Sequence, residues 1–430
     1  MLVSSLVSFA TLWSSSVCAI LAKSPSPTRT CTIAPLGSGR DDTSQVLGAI
    51  ARCGHGGHTV LRKGIYNITR KMTWDLVDSK VDLFGHLSFT PDIDYWLNAT
   101  NTYRVVFIQN QASWFVVTGK NWEVDGHGVG GIQGNGQPWW EYFTSHAKAD
   151  GDGRPISLTV YRAEHGIIRD FAIEAPPFWC NTVADSKSVI YDGMRCNASN
   201  ANPAFAGTNI VPNTDGINTY RSDDIALMNW DVTCGDDCLA IKGNSTNVVA
   251  RNVMCRGGNG IAFGSLGQYA NLSDIVENVL LENIELHRID PSVQPNMQNG
   301  VYFKSWTGSV NGVPPTGGGG GTGFVKNITA KNVFLDGVNL PIHLYQTNGG
   351  HSIDLPSNLT FGELRFENWT GNALGNKIVD IECSVAVGCA DIRFADFDVS
   401  GPAGQAPSFI CKNVQGLTGL DVPCNATGAP

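Results

Sequence analysis

"STNVVARNVMC", residues 245–255, packs a β-branched pair, a short polar stretch and a second apolar run into one compact segment. The pattern returns in "SDDIALMNWDV" from 222, "VENVLLENIEL" from 276 and "VKNITAKNVFL" from 325. Laid over one another, Ile225 and Val248 hold the same phase 23 positions apart. Weaker relatives are "GKNWEVDGHG" from 119, "EHGIIRDFAI" from 164 and "CADIRFADFDVSG" from 389. Strand-forming runs that recur at twenty-odd residues in a glycine-rich chain predict a parallel β-helix, where each coil buries its inward side chains against the next. The alternative, a β-sandwich or propeller, would show steadier strand spacing and more hairpin turns. Only "DDTSQVLGAIARCG" reads as an amphipathic helix, with Asp41 and Asp42 at its start and Val46, Leu47 and Ile50 on one stripe. It is expected to cap the open end of the coil.

The chain has 430 residues, 42% hydrophobic and 16% charged, enough for a large buried core. Its formal charge of −9 removes nucleic acid as a default partner, because phosphate binding wants a basic face. The apolar start with a small-residue site at Val17-Cys18-Ala19 reads as a signal peptide over residues 1–19. Residues 20–430 are then expected to form one β-helical catalytic domain. No later stretch approaches the roughly 18 apolar residues of a membrane span, so a secreted monomer with no membrane partner is expected.

In an oxidising compartment the remaining cysteines imply disulfides. Proximity suggests Cys31 with Cys53, Cys180 with Cys196, Cys238 with Cys255, Cys383 with Cys389 and Cys411 with Cys424, leaving Cys234 over. Glycosylation sequons stand at Asn67, Asn98, Asn197, Asn244, Asn271, Asn327, Asn358, Asn368 and Asn425.

Several motifs carry no chemistry. The loop "VNGVPPTGGGGGTG" from 310 lacks the Lys-Ser/Thr ending of a phosphate cradle, and no amphipathic helix follows the glycines around His127, so neither binds a nucleotide. The histidines show no metal-ligand spacing, and no metal or other cofactor is expected. Trp139 and Trp140 are either core or a sugar-stacking platform.

"CGDDCLAIKGNST", residues 234–246, sets two adjacent carboxylates between two cysteines. With a coil of about 22 residues, sequence offset becomes spatial phase. Asp215 lies 21 positions before Asp236, and Asn259 lies 22 after Asp237. Tyr302 follows Asn259 by 43, which reads as two coils. These five residues are therefore expected on one stripe, with Lys304 beside Tyr302. Like charges that close raise the pKa of at least one carboxyl, which is how a glycosidase keeps a protonated acid beside an ionised base. The bland reading is turn chemistry, since aspartate doublets also stand at 41–42 and 223–224.

"NTDG" from 213, "GDDC" from 235, "GGNGIAFGSLG" from 257 and "YFK" from 302 resemble, in order and spacing, the four signatures of the polygalacturonase family, glycoside hydrolase family 28. "TYRSDDI" and "GSLGQY" look especially like fungal exo-acting members. The resemblance implies a right-handed parallel β-helix and hydrolysis by single displacement with inversion. It makes Asp236 the general acid, with Asp215 and Asp237 activating the attacking water. This chain departs from the family twice: Asn259 stands where the family has His, and Tyr302 where it has Arg.

Arginine in such a place grips a carboxylate bidentately. Its replacement suggests that Tyr302 packs the apolar face of a deoxy sugar while Lys304 answers a neighbouring uronate, as in rhamnogalacturonan-active branches. Lys242 and Arg256 are further candidates for lining the cleft. The expected activity is release of terminal α-L-rhamnose from a pectic rhamnogalacturonan. The alternatives are an exo-polygalacturonase releasing galacturonate, and a pectin-binding β-helix that has lost catalysis. A calcium-dependent lyase of the same architecture would lose activity to chelator.

Overall fold

The computed structural model describes residues 29–104, 108–146, 153–351 and 353–420. The expected signal peptide, Cys424 and the Asn425 sequon lie outside them. The chain winds as a parallel β-helix, and its strand pairs all run parallel. One face carries short strands at Ile217–Tyr220, Asp237–Ile241, Gly260–Leu266, Asn299–Trp306 and Leu340–Asn348, stacked in that order. The remaining wall is built from longer strands such as Asp223–Thr233, Ser245–Arg256, Ser273–His287 and Thr322–Val338.

The repeat quoted above is the inner wall of this coil. Ile225, Val248, Val279, Ile328, Leu364 and Ile392 stack in register, each at most 2% exposed. Six aliphatic side chains in one file exclude water along the axis, and no rung is stable without its neighbours. The polar residues of the repeat have their own reason. Asn247 and Asn252 both sit at left-handed φ, 55° each, as do Asn278, Asn283, Asn327 and Asn332. Asparagine tolerates that region better than most side chains, so it sets the bends of each long strand.

The amides then bond along the outside. Asn252 donates to Asn229, Asn283 to Asn252, Asn332 to Asn283 and Asn368 to Asn332, at 2.9–3.0 Å. Successive members of this ladder are 23, 31, 49 and 36 residues apart, so coil length varies widely while the rung stays fixed. The sequons at Asn327 and Asn368 fall on such ladders.

The helix forms over Thr43–Cys53 and buries Val46 and Ile50 against the first coil, with Leu47 half-buried. Asp41 accepts from the Thr43 amide at 2.9 Å, while Asp42 ties Leu36 and Asn67 together. Four of the expected disulfides form: Cys31–Cys53, Cys180–Cys196, Cys238–Cys255 and Cys383–Cys389. Cys411 is also disulfide-bonded. Cys238–Cys255 spans the interior of a single coil, because both residues point inward from strands of that coil. Trp139 and Trp140 are core, 0% and 1% exposed, and offer no platform for a sugar.

Candidate active site

The site forms where the turns before three successive short strands bring Asp215, the Asp236–Asp237 pair and Asn259 onto adjacent rungs. Backbone bonds fix the stack: Cys180 N–H to Asp215 O at 2.8 Å, Gly216 N–H to Asp237 O at 3.0 Å and Asn259 N–H to Asp236 O at 2.8 Å. One oxygen from each of Asp215, Asp236 and Asp237 lies within 4.8 Å of one from each of the others. The offsets of 21 and 22 residues therefore do bring the three carboxylates together.

Their surroundings differ. Asp236 keeps solvent access, whereas Asp215 and Asp237 are 3% and 2% exposed. Asp236 Oδ2 accepts from the backbone and side-chain nitrogens of Asn213 at 3.1 and 3.3 Å. Its Oδ1 accepts from Asn259 Nδ2 and the Asp237 amide, both at 2.9 Å. Asp237 takes the Tyr302 hydroxyl on Oδ1 and Lys304 Nζ on Oδ2 at 3.2 Å. Asp215 Oδ1 is buried with no protein donor.

Burial, then the charge of Asp237, pushes Asp236 up to about 6, against the pull of Lys304 and the Asn213 amide. Burial and both neighbouring carboxylates hold Asp215 well above the usual carboxylate range. Burial works against the Lys304 charge, but Asp237 and Tyr302 outweigh it and hold the ammonium well above its ordinary value. Lys242 moves the other way, lowered by burial with Asp215 opposing. The result is a half-buried carboxyl that binds a proton near pH 6 beside a carboxylate clamped by Tyr302 and Lys304, the separation that acid–base hydrolysis needs.

Other expected contacts fall elsewhere. Arg256 is not in the site: its neighbour Cys255 points inward, so Arg256 points out and pairs with Asp231. Tyr302 is 3% exposed and bonded to Asp237, so its ring cannot receive a sugar. It is one coil beyond Asn259, since Ala262 and Tyr302 are in register. Asn259 holds Asp236 rather than standing free for substrate. Lys242 donates to Gly264 O at 3.3 Å and lies over the Trp179 ring at 5.2 Å. Asn213 is a site residue that sequence reasoning misses, although it opens the "NTDG" signature; behind it, buried Arg154 donates to Asn213 Oδ1 at 2.8 Å. Three carboxylates are also a donor set for a hard divalent cation. Here, however, Tyr302, Lys304 and the amides around Asp236 already occupy the oxygens of Asp236 and Asp237.

Residues 72–424 match the family described as Glycosyl hydrolases family 28. The chain belongs to that family. It is a glycoside hydrolase, as the four signatures implied. A protein of Aspergillus niger provisionally named galacturan 1,4-alpha-galacturonidase A is 42% identical over 420 residues, covering 92% of this chain and 93% of its own. An exopolygalacturonase of Cochliobolus carbonum is 34% identical over 413 residues, covering 93% and 87%. Among solved structures, endo-xylogalacturonan hydrolase from Aspergillus tubingensis shares the family 28 coil at TM-score 0.74 and 22% identity, over 93% of this chain and 100% of its own.

Proposed function

We propose that this family 28 enzyme releases terminal galacturonate from a galacturonan chain by acid–base hydrolysis with inversion. Asp236 protonates the glycosidic oxygen, Asp237 takes the proton of the attacking water, and Asp215 beside it helps to position that water. The observation that carries the chemistry is the contrast between solvent-accessible Asp236, pushed up to about 6, and Asp237, held by Lys304 and Tyr302. The substrate reading rests on the relatives named for galacturonan chemistry along more than nine-tenths of this chain. It replaces rhamnose release, whose premise was an accessible Tyr302. Lys242 and Lys304, beside the carboxylates, supply positive charge for a substrate uronate.

Incubation of the purified enzyme with oligogalacturonate and with rhamnogalacturonan oligosaccharide, followed by identification of the monosaccharide, tests the reading. Galacturonate from the first is expected; rhamnose from the second alone would overturn it.

Inversion has one stereochemical rival, retention through a covalent intermediate. Carboxyl groups about 5 Å apart are the usual geometry of retention, and about 6.5–9.5 Å that of inversion. Retention needs one carboxylate free to attack the anomeric carbon. Both Asp237 oxygens carry donors, which lowers their nucleophilicity, so we hold to water as the nucleophile. We also propose secretion as a monomer, consistent with the disulfides, and glycans at exposed sequons such as Asn98, Asn271 and Asn358.

A further inference from the structure

Tyr302 stands two rungs beyond Asp237, and the outward-facing residues in register with it, on Asp237's own rung and on the one between, are the smallest that carry a side chain. Ala240 and Ala262 are in register with each other, and Ala262 is in register with Tyr302. The three form a small buried cluster of their own, apart from the main core, with Tyr345 packed against it. With two methyl groups beneath it, the Tyr302 ring lies along the face of the coil and points back towards the catalytic turn. Neighbouring rungs are about 4.8 Å apart, so the Tyr302 and Asp237 side chains together bridge about 10 Å of stack. Its hydroxyl ends on Asp237 Oδ1, and Lys304 Nζ bonds both the hydroxyl, at 2.9 Å, and Asp237 Oδ2, at 3.2 Å. The same ammonium lies 4.9 Å from the Tyr302 ring centre.

We propose that Tyr302 is a positioning residue for the hydrolytic water: its hydroxyl fixes one oxygen of Asp237, Lys304 fixes the other, and the carboxylate stays aimed. This rests on the assignment of Asp237 as a base. The hydroxyl adds a second, directional donor to the one from Lys304. It also leaves the carboxylate one orientation in place of several, which is the form in which a general base is effective. Ala240 and Ala262 are part of the device, because a larger side chain at either would lift the ring.

The test compares Tyr302→Phe, Ala262→Leu and Asp237→Asn on oligogalacturonate. Tyr302→Phe keeps the ring over the two alanines and removes only the hydroxyl. Its kcat is expected to fall about 10–100-fold, the worth of one hydrogen bond to a charged group, with KM within about twofold. Ala262→Leu should lower kcat in the same way, with KM again kept, while retaining the hydroxyl. Parental kcat in Tyr302→Phe, with Asp237→Asn inactive, would overturn the role of Tyr302. An active Asp237→Asn would overturn the base assignment, and the inference with it.

Discussion

Replacing Asp236 with Asn should change how stability depends on pH as well as remove activity. Asp236 binds its proton at about 6 in the folded enzyme against 3.8 ordinarily, first through burial and then through Asp237. The folded pKa is raised, so this group's contribution to stability is fully present below the unfolded value and is lost as pH rises through about 6. About two pKa units at about 1.36 kcal/mol each make the full swing about 3 kcal/mol, of which about 2 kcal/mol falls between about pH 4.5 and 7.5. The asparagine amide of the variant would not titrate. Removing the Asp236 charge also relieves Asp215, which widens the difference in the same direction. Urea unfolding of both proteins at about pH 4.5 and 7.5 measures the effect. The parent should lose about 2 kcal/mol more than Asp236→Asn on going to the higher pH, while the variant's kcat on oligogalacturonate falls by about 10²–10⁴. Parallel stability changes in the two proteins would refute the claim that the site strains against ionisation at Asp236.

Proton NMR of the first-formed sugar should show the anomer opposite to that of the substrate bond; the same anomer would mean that a carboxylate attacks directly. Asn283→Ala should destabilise by about 2–4 kcal/mol, because it breaks ladder bonds to Asn252 and Asn332 and puts alanine at φ 58°. Asn283→Gly should cost less, since glycine keeps the conformation, and equal losses would show that backbone strain plays no part. Trp140→Ala should cost about 3–5 kcal/mol in chemical unfolding with KM unchanged, and a raised KM with parental stability would restore the sugar-platform reading.

The coil and the acidic cluster are legible in the sequence for one reason: between Asp215 and Asn259 the coils run without long insertions, so an offset near 22 residues is a rung. Beyond Asn259 the offsets stretch to 31, 49 and 36 along the ladder, and phase can no longer be counted. That is why counting sets Tyr302 two coils away and gives it to the sugar, when it is one coil away and turned back on Asp237. Arg256 is misplaced for a simpler reason. Strand alternation sends it outward from inward-facing Cys255, but on the long-strand wall beside Asp231 rather than on the short-strand face. Asn, Asp or His stands at the left-handed bends of the repeat copies, but their meaning depends on φ, which composition does not carry. Asn213 escapes because its contribution is half backbone: the amide that bonds Asp236 would be there for most residue types.

Uneven coil length has a consequence for how such an enzyme can be altered. Long insertions between rungs are taken up in loops such as 288–298 and 307–321, while the short strands beside the aspartates stay paired. Whole rim segments can thus be exchanged between homologues as cassettes, changing which polymer end is admitted without re-engineering the acid and its base. Grafts should be judged by whether the flanking asparagine amides still meet.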